Sequence, residues 1–124
     1  ENKSIAHPAS VDTIPTSANT EDHVSMGPIA ARHARGVVAN TARILALEAM
    51  TAAQALDFRL RSDPAARMGP GTAAAYEMVR ERVPFLERDA DFQPYTAACV
   101  ELVLGGRLAG VLSVSGDERA QVVG

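Results

Sequence analysis

The feature that most constrains the fold is one long helical stretch in the first half of the chain. The helix is predicted to begin between Val24 and Pro28 and to run to about Arg59 or Arg61, before Ser62-Asp63-Pro64 ends it. Proline is tolerated in a first turn because its missing N–H would have no helical partner there. At about 1.5 Å per residue this rod is about 50 Å long, which exceeds the width of a small domain.

The second half of this helix is apolar nearly all round. Between Ile44 and Leu56 an alanine-rich surface is interrupted only by Glu48, Thr51 and Gln54. A helix of this kind is buried on nearly all sides, and alanine lets neighbouring backbones approach closely. The remaining chain is too short to wrap around it. We therefore expect its partners to come from other chains or from residues outside this segment.

Shorter helices are predicted on the C-terminal side. After a Pro64 to Gly71 linker, a second helix is expected from Thr72, as its N-cap, to Val83. A third helix is expected to have Pro94 at its first position and to reach Leu104, where Gly105-Gly106 stops it.

The second predicted helix has a clear division of faces. Its buried stripe is expected to consist of Tyr76, Val79 and Val83, and its water-facing residues are expected to be Glu77, Arg80 and Glu81. The predicted fold class is thus all-α, a long bundle helix plus shorter helices. Its three segments are a candidate active-site loop over 1–22, the long bundle helix over 23–61, and a C-terminal helical region over 62–124 whose tail frays from Ser115.

Composition excludes several classes of function. The net charge is −3 and the basic residues, almost all arginine, are scattered, which argues against binding to nucleic acid through its phosphates. No apolar run reaches the roughly 18 residues of a membrane span. The one cysteine, Cys99, has no internal disulfide partner, which favours a reducing cytoplasm, and its neighbours favour a buried inert thiol. Because the chain opens on Glu1 rather than Met, we interpret it as a fragment or a cleaved product.

The candidate functional residues lie in the Ser/Thr/Pro-rich loop from Ala6 to Gly27, which has few hydrophobic residues to explain it as core. Glu21 is its obvious chemical group. It has three interpretations: a carboxylate at a helix start, a metal ligand with His7 and His23, or a polar group of an active site. The metal interpretation lacks a recognised ligand spacing, so no metal site is predicted. The neighbouring Asp22 is interpreted as a helix cap.

Other polar residues have ordinary explanations. His23 is expected to bond to nearby backbone, and His33 to be solvated or to lie at an interface. The loop serines lack the His/Asp arrangement or glycine pattern of a catalytic nucleophile. Gly69 and Gly71 flank a proline, which cannot donate an N–H to a phosphate.

Several stretches carry a resemblance to a known family. The chain resembles the C-terminal part of histidine ammonia-lyases, within the aromatic amino-acid lyase family. The resemblance covers SVDTIPTSA, TEDHVSMG, the following helix through ILALEAMTAAQALDFR, and RERVPFLERDADFQP, or roughly the first three-quarters of the chain.

The resemblance implies an enzyme that eliminates ammonia from L-histidine to give trans-urocanate. Such enzymes use an electrophilic methylidene-imidazolone made autocatalytically from an internal Ala-Ser-Gly, and they use no metal. That triplet is missing here, because Ala9-Ser10 is followed by Val11 and Ser115-Gly116 is preceded by Val114. The family's tyrosine base would also lie outside this segment, so the fragment alone is expected to be inactive. The resemblance further implies a homotetramer whose long helices form a central bundle, with active sites where subunits meet.

Within this resemblance, Glu21 matches the position that contacts the substrate ring. A carboxylate can accept a hydrogen bond from an imidazole N–H and stabilise positive charge on the ring, which a phenyl ring could not use. Relatives that act on phenylalanine or tyrosine commonly have Gln there, so Glu21 favours histidine. Thr20, where bacterial members often have Gln, is a second candidate for contact with substrate. The alternatives are a phenylalanine or tyrosine ammonia-lyase or aminomutase segment, and a non-catalytic helical assembly module.

Overall fold

The structure, a computed structural model, describes residues 1–21 and 23–111. Regular structure in this part of the chain is helical: α1 (Asn2–Ile5), a 3-10 helix (Ala9–Asp12), α2 (Gly27–Ser62), α3 (Pro70–Arg80) and α4 (Gln93–Leu104). The predicted all-α class is confirmed. The capping role predicted for Asp22 and the fraying predicted from Ser115 concern positions outside the described residues.

The long helix is confirmed, and α2 begins and ends close to the predicted residues. Gly27 opens it and Pro28 lies in its first turn, where the missing N–H costs no hydrogen bond. At the other end the Asp63 N–H still bonds to the Arg59 carbonyl at 3.0 Å, and the Asp63 carboxylate accepts the Ala65 N–H at 2.9 Å. This turn, together with Pro64, directs the chain out of the helix.

The chain forms two compact units, Glu1–Thr41 and Ala42–Gly124. In the first unit, the segment predicted as a loop contains two short helices. The side chain of Asn2 ties α1 to the first part of α2: its Oδ1 accepts from Asn40 Nδ2 at 2.9 Å, and its Nδ2 donates to Thr41 Oγ1 at 3.4 Å. Ala9 is buried in this unit.

The second unit holds the main hydrophobic core. The described part of this unit packs one face of α2 against α3 and α4, through Ala46, Met50, Ala53, Val79, Val83 and Cys99. The predicted stripe of the second helix is confirmed, since Val79 and Val83 are buried and Tyr76 packs against the core. Cys99 is fully buried as predicted, and burial raises the pKa of its thiol despite the opposing effect of Arg80.

The predicted start of α3 is wrong. The helix begins at Pro70, and its N-cap is Gly69, which has extended backbone angles and no side-chain cap hydrogen bond. Thr72 is therefore already inside the first turn. The reason is that proline's fixed φ suits the first helical position, so the breaker sequence becomes the helix start. At the end of α4, Gly105 and Gly106 terminate the helix as predicted: Gly106 has a φ of +70°, and a Cβ at Gly105 would lie 2.9 Å from the Glu101 carbonyl oxygen.

The predicted exposure of Arg80 is also wrong. Its guanidinium forms an ion pair with Asp57 of α2, and the two side chains are only 14% and 13% exposed. It also donates to the carbonyl oxygens of Val83 and Pro84, at 3.0 and 3.1 Å. The charge is buried because a counter-charge on another helix compensates for the lost hydration.

The carboxamide of Gln54 lies next to this ion pair and fixes the segment after α3. Its Nε2 donates to the Leu86 carbonyl at 2.8 Å and its Oε1 accepts the Leu86 N–H at 3.2 Å. The carboxamide thus satisfies both the N–H and the carbonyl of Leu86, as a peptide group would. Among the described residues, no helix combines the length and hydropathy needed to cross a membrane.

Candidate active site

The loop before α2 folds back on itself at Glu21. The Thr16 N–H donates to the Glu21 carbonyl at 2.9 Å, and the Glu21 N–H donates to the Thr16 carbonyl at 3.3 Å. The two residues form an isolated antiparallel bridge. Four residues join them, and three of these, Ser17, Ala18 and Asn19, have left-handed φ values of 53°, 54° and 64°.

Two threonine hydroxyls hold this loop. The Thr13 hydroxyl donates to the Val24 carbonyl at 3.1 Å and accepts the Val24 N–H at 2.9 Å. The Thr16 hydroxyl donates to Glu21 Oε2 at 3.3 Å. The backbone is therefore fixed on both sides of Glu21. Neither threonine was predicted from the sequence, although the Thr-x-x-Thr spacing before a carboxylate was an available signal.

The Glu21 side chain is exposed, and its Oε1 has no hydrogen bond from the described residues. A carboxylate has about four lone-pair sites, so this one can still accept a charge-assisted hydrogen bond from a ligand N–H. Thr20 is also exposed, and its hydroxyl proton is donated to the Ser17 carbonyl. The Thr20 hydroxyl can therefore serve a ligand only as an acceptor.

The three histidines do not assemble around Glu21. His7 and His33 line a hollow of about 410 Å³ whose other walls include Ile5, Ala30 and Val37. His23 is exposed in the loop. Within residues 1–21 and 23–111, no group of three or more His, Cys, Asp or Glu side chains is placed to hold a metal ion.

A second hollow in the same unit, of about 430 Å³, lies beside the loop. Its lining includes Ala9, Ser10, Val24 and Met26. Neither hollow is lined by Glu21, and among the described residues its side chain is exposed. A pocket around it would need walls from elsewhere.

The helical architecture matches that of a solved enzyme structure. The chain is similar to tyrosine aminomutase from Streptomyces globisporus, with a TM-score of 0.77 and 36% sequence identity, over 86% of this chain and 20% of that one. The class is thus the helical fold of aromatic amino-acid lyases and aminomutases.

The family itself is shown by sequence. A family model described as aromatic amino acid lyase matches residues 1–81. The chain belongs to the aromatic amino acid lyase family.

Two curated relatives are named histidine ammonia-lyase. Histidine ammonia-lyase of Chloroflexus aurantiacus is 49% identical over 121 residues, which are 97% of this chain and 23% of that protein. Histidine ammonia-lyase of Symbiobacterium thermophilum is 55% identical over 117 residues, 94% of this chain and 22% of that protein. These relatives are carbon–nitrogen lyases, and the chain spans less than a quarter of their length.

Proposed function

We propose that this chain is the C-terminal segment of a histidine ammonia-lyase, which eliminates ammonia from L-histidine to give trans-urocanate. The observation that carries the proposal is the exposed Glu21 carboxylate, held in a bridged loop, with one oxygen that accepts no hydrogen bond from the described residues. The names of relatives about half identical to this chain support histidine as the substrate.

The chemistry of the substrate explains why such a carboxylate is useful. The β-proton of histidine is only weakly acidic. Its removal therefore requires an electron sink, a base and a ring held in one orientation. Glu21 would accept the imidazole N–H and stabilise positive charge on the ring. Thr20 is proposed as a second substrate contact, limited to accepting a hydrogen bond.

The methylidene-imidazolone electrophile does not fit this segment, because Ala-Ser-Gly does not occur in the 124 residues. We therefore assign no step through that group to these residues. In our proposal the electrophile and the tyrosine base are supplied by other segments of the lyase, and this segment contributes to substrate binding and assembly.

The assembly proposed is a cytoplasmic homotetramer with a central helical bundle. Its support is the surface of α2, where Ile44 is 57% exposed and Leu45 and Leu47 are 44% and 45% exposed. Three exposed apolar side chains within about one helical turn favour a protein partner. Further copies of the long helix would cover them.

The test is Glu21→Gln in the complete lyase, measured by urocanate formation from L-histidine. We expect turnover to fall by roughly 10²- to 10³-fold, the range typical of removing one preorganised electrostatic contact. The matched control is Asp12→Asn, which neutralises another exposed carboxylate of the same unit. Unchanged urocanate formation by the Glu21→Gln enzyme would falsify the role of Glu21.

A second candidate is a lyase or aminomutase for tyrosine or phenylalanine. The similarity to tyrosine aminomutase favours it. Assaying L-histidine, L-tyrosine and L-phenylalanine side by side separates the two. Faster turnover of a phenyl substrate than of histidine would select the second candidate.

A further inference from the structure

The side chains of Thr16 and Glu21 are paired by the backbone around them. Because the two residues exchange both N–H···O=C hydrogen bonds, their side chains project from the same side of the bridge. This places the Thr16 hydroxyl 3.3 Å from Glu21 Oε2. The loop register thus brings the two side chains within reach of each other.

The turn that produces this register is an unfavourable one. Ser17, Ala18 and Asn19 are all left-handed, a conformation that asparagine tolerates but that serine and alanine rarely adopt. Such residues persist only where the surrounding structure determines them, and they concentrate at functional sites. Here the Thr13 hydroxyl holds Val24 on the far side, so that Glu21 lies between two fixed points.

We propose that Thr16 is a positioning residue that orients the Glu21 carboxylate for the substrate ring, an inference that rests on the proposed function. A free glutamate side chain must lose several rotamers when it binds a ligand, and that lost entropy weakens binding. The Thr16 hydroxyl removes part of this cost beforehand. Oε1, which accepts no hydrogen bond from the described residues, is then the oxygen proposed to accept the ring N–H.

The backbone hydrogen bonds of Thr16 do not depend on its side chain, which makes the hydroxyl separately testable. Thr16→Val removes the donor with little change of volume, and Thr16→Ser keeps the donor. Thr16→Ala is a second deletion of the hydroxyl, for use if the valine enzyme does not unfold cooperatively on heating.

The experiment is a double-mutant cycle in the complete lyase with L-histidine as substrate, using T16V, E21A and T16V/E21A. We expect T16V to lower kcat/KM by about 3- to 10-fold, the size expected for one hydrogen bond, and T16S to stay within about 2-fold of the unchanged enzyme. In the E21A background we expect T16V to have less than about a 2-fold effect, because the group it positions is gone.

Three results would contradict the positioning role of Thr16 or the proposed function. An equal loss from T16V with and without Glu21 would show that Thr16 acts on the loop in general, and would overturn the proposal while leaving the role of Glu21 intact. Equal activity of T16S and T16V would also overturn it. No loss of activity in E21A would instead refute the proposed function itself.

Discussion

Replacing Arg80 by methionine should loosen the second unit locally, because it leaves a buried carboxylate without its counter-charge. Arg80 forms an ion pair with Asp57 and also donates to Gln54 Oε1 at 3.3 Å. The Tyr76 hydroxyl donates to the other oxygen of Asp57 at 2.7 Å. Methionine keeps much of the apolar stem but supplies none of the donors.

The size of the effect follows from burial. Removing one partner of a buried ion pair costs about 3–5 kcal/mol, chiefly through the uncompensated charge that remains. Water still reaches this pair, since the side chains are 14% and 13% exposed, so we take a lower figure of about 2–3 kcal/mol. At 1.36 kcal/mol for each factor of ten, opening of this region should become about 30- to 150-fold more frequent.

The assay is native-state hydrogen exchange in the complete lyase, followed on peptides that contain Gln54 and Leu86. Amide protons that exchange through local opening of this region should exchange faster in Arg80→Met, by about 30- to 150-fold. The matched control is Arg82→Met, because Arg82 and Glu101 form an exposed pair at 3.5 Å, with side chains 43% and 73% exposed. That change should alter exchange by less than about 3-fold.

One double variant tests whether the unpaired Asp57 charge is the cause of the faster exchange. Asp57→Asn combined with Arg80→Met removes both charges and keeps an acceptor for Tyr76. If the unpaired charge is the cause, the double variant should exchange more slowly than Arg80→Met alone. Exchange in the double variant as fast as in the single one would show that the loss comes from packing instead.

Three further predictions concern single residues of the second unit. The hydrogen bond to Asp57 raises the pKa of the Tyr76 hydroxyl above its ordinary 10.0. The stability that this group contributes is therefore complete below pH 10 and is lost as the pH rises through the raised pKa. In Tyr76→Phe, the unfolding temperature should no longer show that fall at high pH. Burial raises the pKa of Cys99, so a maleimide at pH 8 should label the native protein at least about 100-fold more slowly than the denatured chain, and equal rates would contradict its burial. Gly106 has a φ of +70°, so Gly106→Ala should cost about 1 kcal/mol, measured as a lower unfolding temperature, and Gly106→Asn should cost less.

Local chemistry was enough to predict much of this fold. The start of α2 at Gly27 and the end of α4 before Gly105 depend on proline and glycine, whose conformational limits act within a few residues. The burial of Val79 and Val83 follows from helical periodicity alone. The start of α3 was misplaced because Pro70 can either interrupt a helix or begin one, and the neighbouring glycines did not distinguish the two.

The candidate site was only partly predictable for a similar reason. Glu21 and Thr20 were identified from the loop and the family resemblance, and their roles stay predictions. The bridge from Thr16 to Glu21 depends on three successive left-handed residues, two of which, Ser17 and Ala18, have no intrinsic preference for that conformation. A turn of this kind is determined by its surroundings, so the sequence of the turn does not predict it.

Asp57 and Glu21 differ in the hydrogen-bond donors already bound to their carboxylates. Asp57 lies between Leu56 and Phe58, and an isolated acid in an apolar stretch indicates a buried partner, which Arg80 provides. That guanidinium and the Tyr76 hydroxyl each donate to one oxygen of Asp57, and the side chain is only 13% exposed, so this carboxylate is part of the packed fold. Among the described residues, Glu21 accepts a hydrogen bond from a neutral hydroxyl alone, on Oε2, so Oε1 can accept one from a substrate. The number and charge of the donors already bound to a carboxylate distinguish a structural acid from one able to bind a ligand.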